Sequence, residues 1–219
     1  MTLQNAKINP ASGIIWPIIL IFLLWLCIWG SVHKFTEKEA FAGNTSSGPD
    51  YYPLQVGNEW EYEGYHYKNG GQTSYHQSTM IISKQDLGTG MIQYYGKKNE
   101  EFLIKSLEGI LTPSGVFLLK YPLTRGEKWV SGKDNFDQRL FRIDDTGFSI
   151  TVRGTTYNNC IRVIVTSDFH AMLIEGKTTY IAFELFYNYA PNVGPVLVQT
   201  FKVKRSGDRK LVSRTELVS

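Results

Sequence analysis

The chain has 219 residues, of which 14% are aromatic, and its net charge at pH 7 is +3. That length suits one domain of ordinary size beside an anchor, and so small a charge does not favour nucleic acid as a partner. Its two cysteines, Cys27 and Cys160, form neither a disulfide framework nor a CxxC metal motif. We therefore predict no cofactor and no metal.

An apolar segment without charges lies near the amino terminus, at residues 13–32. Because a helix rises about 1.5 Å per residue, roughly 20 apolar residues cross a hydrocarbon core of about 30 Å. Trp16 near one end, and Trp25 and Trp29 near the other, suit the two interfacial belts, and Pro17 falls in the first turn, where proline is tolerated. The segment is predicted to be a single transmembrane helix that contacts membrane lipid.

Two other fates of this segment fit the sequence less well. A cleavable signal peptide has an apolar core of about 7–15 residues with a small-residue site soon after it. Here the core is longer, and Ala40-Phe41-Ala42 lies well beyond it. Lipidation of Cys27 would need a small residue just before it, where the chain has Leu26. The span is therefore predicted to stay uncleaved.

The predicted organisation is a tail, a transmembrane helix, a flexible linker and a β-rich extracytoplasmic domain, at residues 1–12, 13–32, 33–50 and 51–219. Lysines flank the helix on both sides, so the positive-inside rule does not decide its orientation. A short leading tail before a long domain is the usual layout of a signal anchor. We predict a single-pass protein of the bacterial inner (cytoplasmic) membrane with its C-terminal domain in the periplasm.

A short repeat organises the domain: the pattern YPLxxGxxW occurs at residues 52–60 and again at residues 121–129. Proline cannot donate to a strand ladder, glycine supplies a turn, and the tryptophan then begins a strand and points inward. Little else aligns between the copies. We interpret them as two uses of one turn-to-strand device; a duplicated half-domain is the other interpretation.

Turn signals at intervals of about 8–12 residues separate segments of alternating polarity. They predict a mainly β fold, an antiparallel meander of about ten strands that forms a half-barrel, a barrel or a sandwich. Asp144–Gly147 is predicted to be the turn between two of these strands. Asp168–Glu175 is predicted to hold a helical turn.

The domain resembles a broad family of uncharacterised bacterial exported and lipoprotein-type β-rich envelope domains. The shared motifs are YPLxxGxxW at residues 52–60 and 121–129, NCxxV at residues 159–163 and YAPxVGxV at residues 189–196. The resemblance implies an envelope location and a mainly β domain, with no established chemistry. Where the family usually has glycine this chain has Asn192, for which we expect a left-handed backbone conformation.

The sequence contains no complete catalytic signature. His66 and His76 lie on neighbouring predicted strands, where they could meet across a hairpin, but a zinc site needs at least one more ligand, so they are predicted to be exposed hairpin residues. Asp145 begins the D-T-G of aspartic proteases, whose chemistry requires two such loops, so a tight turn is the better interpretation.

Other side chains of reactive types are predicted to have structural roles. The glutamates at positions 59, 61 and 63 are predicted to form a solvated strand face, because the carboxylates of glycosidases come from different strands across a cleft. Cys160 has no histidine near it in the sequence and is predicted to be a small core residue. We therefore predict that the protein is not an enzyme.

The last 19 residues carry six basic residues and two acidic ones. The basic residues are Lys202, Lys204, Arg205, Arg209, Lys210 and Arg214. They suit either a solvated terminal hairpin or a patch that meets anionic lipid or an acidic partner surface.

Anchor, sheet and basic hairpin together predict a membrane-anchored, non-enzymatic envelope domain that binds protein. It would serve as an accessory or structural subunit of a larger membrane complex, with respiratory and photosynthetic complexes among the candidates. The alternative is a half-barrel that holds a lipid or another apolar small molecule. A hydrolase is the third hypothesis.

Overall fold

The computed structural model describes residues 49–68, 70–97, 100–132, 138–168, 170–174 and 177–219. They form fourteen strands: β1 (Glu59–Lys68), β2 (Gly71–Met80), β3 (Ser83–Gly88), β4 (Met91–Tyr95), β5 (Glu101–Ser106), β6 (Gly109–Leu111), β7 (Phe117–Lys120), β8 (Lys128–Ser131), β9 (Arg139–Val152), β10 (Thr155–Thr166), β11 (His170–Ile174), β12 (Lys177–Ala190), β13 (Gly194–Lys204) and β14 (Arg209–Leu217). The predicted anchor, with Trp16, Pro17, Trp25 and Trp29, lies outside the described residues. In the part of the chain that is described, no helix has the length and apolar character needed to cross a membrane.

The strands form two antiparallel sheets. The larger has nine strands in the order β2-β1-β14-β13-β12-β10-β9-β8, with β11 paired to β12. The smaller has five strands in the order β3-β4-β5-β6-β7. The prediction of a mainly β antiparallel fold is confirmed. Closure of the sheet into a barrel, one of the predicted arrangements, is wrong, because the described strands of the larger sheet end at β2 and β8 without pairing with each other.

The two sheets share one core. The larger sheet contributes Trp60, Phe141 and Val163, and the smaller contributes Ile110 and Leu119, all buried. Because side chains alternate along a strand, the larger sheet has two distinct faces. We refer to the face that carries Trp60 and Val163 as the inner face and to the opposite face as the outer face.

Side chains join the two sheets where β7 and β8 come together. The backbone N–H of Phe117 donates to the Ser131 hydroxyl at 2.8 Å, and the Trp129 indole donates to the Phe117 carbonyl at 3.0 Å. Buried backbone groups need a hydrogen-bond partner. These two side chains supply one for each polar group of Phe117, although β7 and β8 do not pair as strands.

Both copies of the repeat form the same turn. The N–H of Gly57 donates to the Ile81 carbonyl, and that of Gly126 to the Ile143 carbonyl, each at 2.8 Å. Each isoleucine donates back to the carbonyl of the residue after the glycine, in both cases at 2.9 Å. The glycines have φ values of 96° and 91°. A buried tryptophan follows in each copy at the second position of a strand, as the turn-to-strand interpretation predicts.

The predicted turn at Asp144–Gly147 is wrong. β9 continues through it, and register shifts against β10 absorb the extra residues. The chain reverses instead at Arg153 and Gly154, which have φ values of 50° and 84°. Gly147 does have a positive φ of 75°, but such a glycine suits a β-bulge as well as a hairpin turn. Sequence alone did not separate these two uses.

The predicted helical turn at Asp168–Glu175 is also wrong, because β11 (His170–Ile174) occupies most of it. Its five residues pair with the start of β12 as a short hairpin, and this pairing overrides a weak local preference. By contrast, Asn192 has a φ of 60°, so the left-handed conformation expected there is confirmed.

Candidate binding surfaces

Four of the six basic residues predicted as a patch lie at one end of the larger sheet. Lys202 and Lys210 are direct cross-strand partners on β13 and β14. Lys204 and Arg205 lie at the turn that joins these strands, and the Arg205 guanidinium lies 5.5 Å from the ring centroid of the exposed Tyr180. We refer to these four cations together with Tyr180 as the basic end.

The other two predicted patch residues belong to the outer face and have acidic partners. Arg209 forms an ion pair with Glu184, with 2.9 Å between Nε and Oε2, and its guanidinium lies 5.9 Å from the Phe186 ring centroid. Arg214 pairs with Glu216 at 2.6 Å. Charge counting along the sequence merged two opposite faces, so the prediction included two cations that neighbouring carboxylates already neutralise.

Within the described residues, no carboxylate forms an ion pair with the cations of the basic end. Asp208, in the same turn, instead accepts a hydrogen bond from the Ser206 hydroxyl at 2.8 Å. Like charges directly opposite each other on antiparallel strands are destabilising. The Lys202–Lys210 pair is thus an arrangement that folding disfavours and that a bound anionic group would relieve.

Four tyrosines meet on the inner face at the other end of the sheet: Tyr52, Tyr62, Tyr187 and Tyr189. We refer to them as the tyrosine layer. The rings of Tyr52 and Tyr189 are 6.0 Å apart, and those of Tyr187 and Tyr189 are 6.1 Å apart. The Tyr62 hydroxyl donates to the Pro195 carbonyl at 3.0 Å.

Burial raises the pKa of all four phenols of the tyrosine layer, and neighbouring phenols raise the pKa further for Tyr52, Tyr62 and Tyr189. The four hydroxyls therefore stay protonated at neutral pH. They are uncharged groups that can donate hydrogen bonds. This chemistry suits packing and recognition of a neutral polar group.

An apolar strip leads from the tyrosine layer toward the basic end. Phe183 and Leu185 share the inner face of β12 with Tyr187, and Val198 lies opposite Tyr187 on β13. All four side chains are half-buried. Lys202 lies opposite Phe183, so a cation borders the far end of the strip.

His66 and His76 are both exposed, as predicted for hairpin histidines, and they lie on opposite faces of their hairpin, so they do not meet. His66 is the partner of Thr73, whereas His76 is the partner of Glu63. His66 instead stacks on Tyr75, with 4.8 Å between the ring centroids. In the part of the chain that the structure describes, no three His, Cys, Asp or Glu residues are grouped so as to hold a metal ion.

The glutamates of β1 lie on the outer face and have surface partners, in agreement with a solvated strand face. Glu63 accepts a hydrogen bond from Arg153 at 2.6 Å, and this bond lowers the pKa of Glu63. Arg153 lies at the tip of the β9–β10 hairpin, which is thereby held to β1. Cys160 is fully buried, and burial raises the pKa of its thiol. Its prediction as a core residue is confirmed.

Comparisons with known proteins found no protein-family model that matches the chain and no matching curated relative. Three solved structures align with it. A Bacteroides fragilis protein described as exported, with a YmcC-like fold, has 12% identity and a TM-score of 0.40, over 78% of this chain and 98% of its own. A protein described as a lipoprotein, from Parabacteroides distasonis, has 16% identity and a TM-score of 0.39, over 78% and 98%. The lipoprotein YmcC of Escherichia coli has 10% identity and a TM-score of 0.20, over 77% and 92%.

The tyrosine layer was not predicted from the sequence. The spacing of Tyr187 and Tyr189 places both on one face of a strand, and this signal was available. The approach of Tyr52 and Tyr62 depends on the order of strands in the sheet, which joins β1 to β12 through β14 and β13. No local pattern predicts that order.

Proposed function

We propose that this chain is a membrane-anchored, non-enzymatic envelope domain that binds an acidic surface of another protein, as an accessory or structural subunit of a membrane complex. In this proposal residues 13–32 are the anchor and the domain lies in the periplasm of a bacterium. The observation that carries the proposal is the cross-strand pair of Lys202 and Lys210. Tyr180, under Arg205, adds an aromatic group of the kind enriched at protein interfaces.

The test is purification of the full-length chain from its native membrane in mild detergent. We expect a partner to co-migrate with the chain and to dissociate as salt is raised, because salt screens exposed charges. The double variant Lys202→Glu/Lys210→Glu should lose the partner. Lys84→Glu/Lys128→Glu, which makes the same charge change at exposed lysines on other strands, should keep it.

Two outcomes would contradict this proposal. In the first, the wild-type chain migrates alone at every detergent strength. In the second, the Lys202→Glu/Lys210→Glu variant retains its partner as well as the matched control does. Circular dichroism of both double variants checks that the sheet is intact. Three of the four lysines are exposed and Lys202 is half-buried, so charge reversal should leave the strand content unchanged.

A second candidate function is the binding of an anionic amphiphile along the apolar strip. It is favoured because Leu185 and Phe183 lie in a row that ends beside Lys202. A hydrocarbon chain along this row would have its anionic group next to the lysine. Mass spectrometry of organic extracts should then find a stoichiometric amphiphile in the wild-type protein. Leu185→Trp, which fills the strip, should reduce it. Extracts of the wild-type protein without such a molecule would eliminate this function.

A further inference from the structure

The outermost strand of the larger sheet, β2, forms an unusually regular free edge. Its ten residues pair one to one with β1, from Gly71 opposite Lys68 to Met80 opposite Glu59, without a register shift. Among the described residues, β1 is the only strand that pairs with β2. Alternate backbone N–H and C=O groups along β2 therefore point away from the sheet without a strand partner.

The edge strands β3, β7 and β8 carry features that prevent further pairing, and β2 does not. Short length, charged side chains and bulges are the usual means of protecting an edge. β8 and β7 have only four residues each, and β3 carries Lys84 and Asp86 with a register shift after Asp86. The β2 sequence, GQTSYHQSTM, contains no Lys, Arg, Asp, Glu or Pro.

The centre of β2 is held firmly to the sheet. The Tyr75 hydroxyl is 2.7 Å from the Thr215 hydroxyl on β14, one strand beyond β1. To reach it, the Tyr75 ring lies over Gly64, where an added Cβ would be 2.0 Å from a ring carbon. His66 stacks on the same ring. Because this strand is already ordered, pairing along its outer edge requires little further loss of conformational entropy.

The far end of β2 is less available than its beginning. The Lys97 ammonium lies 3.2 Å from the Ser78 hydroxyl and 3.2 Å from Glu59. This side chain, from the smaller sheet's connection after β4, borders the last residues of β2. The free stretch is therefore residues 71–77, and Ser74 is its midpoint.

We infer that residues 71–77 pair antiparallel with the same residues of a second copy of this chain, across a two-fold axis at Ser74. In such a pairing each strand lies opposite the same sequence of the other copy. A charged residue near the axis would therefore lie opposite a residue of the same charge. The absence of charge from β2 removes that penalty. The register places Thr73 opposite Tyr75 and Gln72 opposite His76, and the second of these is a pair of polar side chains able to exchange hydrogen bonds. This inference does not depend on the proposed function.

The test is the mass of the full-length chain in mild detergent, measured by size-exclusion chromatography with light scattering. We expect the wild type to be a dimer. Ser74→Lys places like charges against each other at the axis and should raise the dimer dissociation constant by about tenfold or more. Thr155→Lys adds the same charge at an exposed position near the tip of the β9–β10 hairpin and should leave the dimer intact.

A covalent readout tests the register directly. In a Cys27→Ser background, Ser74→Cys should form an intermolecular disulfide on oxidation, whereas Thr155→Cys should not. A monomeric wild type would overturn the inference, and so would a Ser74→Lys variant that remains dimeric. A dimer whose Ser74→Cys form does not cross-link would overturn the register at Ser74. If β2 instead accepts a strand from a different protein, the purified chain will be monomeric.

Discussion

The two copies of YPLxxGxxW lead into β1 and β8, which lie near opposite edges of the larger sheet. They can be compared position by position. Their turns share three backbone hydrogen bonds of equal length: the two that join the glycine turn to Ile81 or Ile143, and one from the residue after the glycine to the carbonyl three residues before it, at 3.1 Å in both copies. The indoles, however, bind different parts of the molecule. Trp60 donates to the Val193 carbonyl within the larger sheet's own turn at 2.6 Å, and Trp129 donates to Phe117 of the smaller sheet at 3.0 Å.

The comparison separates what local sequence specifies from what the tertiary fold adds. Turn, strand start and inward tryptophan follow from the motif in both copies. The first tyrosine differs, because Tyr52 is buried in the tyrosine layer and Tyr121 is half-buried. The peptide bond before Pro122 is cis. The same local motif is thus used twice. In the first copy its tryptophan binds the turn before β13, and in the second copy its tryptophan binds β7 of the smaller sheet.

The largest effects should come from removal of either tryptophan. Trp60→Ala and Trp129→Ala should each lower the free energy of unfolding by about 3–5 kcal/mol, because both side chains are buried and leave large cavities. Urea denaturation followed by circular dichroism measures the loss. If either tryptophan were dispensable, its alanine variant would unfold at the wild-type urea midpoint. The two tryptophans would then not contribute equally to the stability of the core.

Phenylalanine variants separate ring packing from hydrogen bonding in the same pair. Trp60→Phe and Trp129→Phe keep an aromatic ring but remove the indole donor, so each should lose less than its alanine counterpart. Spectra of backbone amides should then change near Val193 in the first variant and near Phe117 in the second. Changes confined to the substituted strand would contradict the assigned bonds.

A Ser131 variant tests the hydrogen bond between β8 and β7, a contact between the two sheets that lies beside the second copy only. Ser131→Ala removes the acceptor for the Phe117 N–H, and a buried donor left without a partner costs about 1–3 kcal/mol. Denaturation should show that loss, with the Phe117 amide proton exchanging faster than in the wild type. Thr79→Ala, at the cross-strand partner of Trp60 on β2, is the matched control and should have a smaller effect. Unchanged exchange at Phe117 would contradict the role of Ser131.

The starts of the strands at the two copies of the repeat were predictable, because residues within the motif itself determine them. Proline, glycine and tryptophan fix where β1 and β8 begin, and alternation indicates which face is buried. The continuous β9 was not predictable, because Asp144–Gly147 has the composition of a turn and only pairing with β10 makes it a bulge. The basic end was found by charge, but the outward direction of Arg209 depends on strand register.

The turn glycines should give smaller and nearly equal effects. Gly57→Ala and Gly126→Ala place a side chain at φ values of 96° and 91°, with no atom outside the adjacent residues within 4 Å of the new Cβ. The effect is thus one of backbone strain, about 1–2 kcal/mol for an L-residue in this region. Thermal unfolding of the two variants side by side measures it. A loss twice as large in one copy would mean that the turns are not equivalent, despite their matching hydrogen bonds.

The first tyrosines of the two copies should differ in alkaline titration, with almost no effect at neutral pH. Burial, with Asp50 adding to it, raises the pKa of Tyr121 to about 12, and burial also raises the pKa of Tyr52. A phenol whose pKa is raised by folding stabilises the folded state fully below its unfolded pKa of about 10. That contribution is lost as the pH rises through the folded pKa.

For Tyr121 this window lies between about pH 10 and pH 12. Because Tyr121 is only half-buried, it should ionise while the protein is still folded, whereas Tyr52 should ionise only as the core opens. Ultraviolet absorbance of phenolate, recorded together with circular dichroism, follows both events. Tyr121→Phe should remove one phenol from the early phase, and Tyr52→Phe should leave that phase unchanged. Loss of the early phase in Tyr52→Phe would reverse the assignment and place the more accessible tyrosine in the first copy.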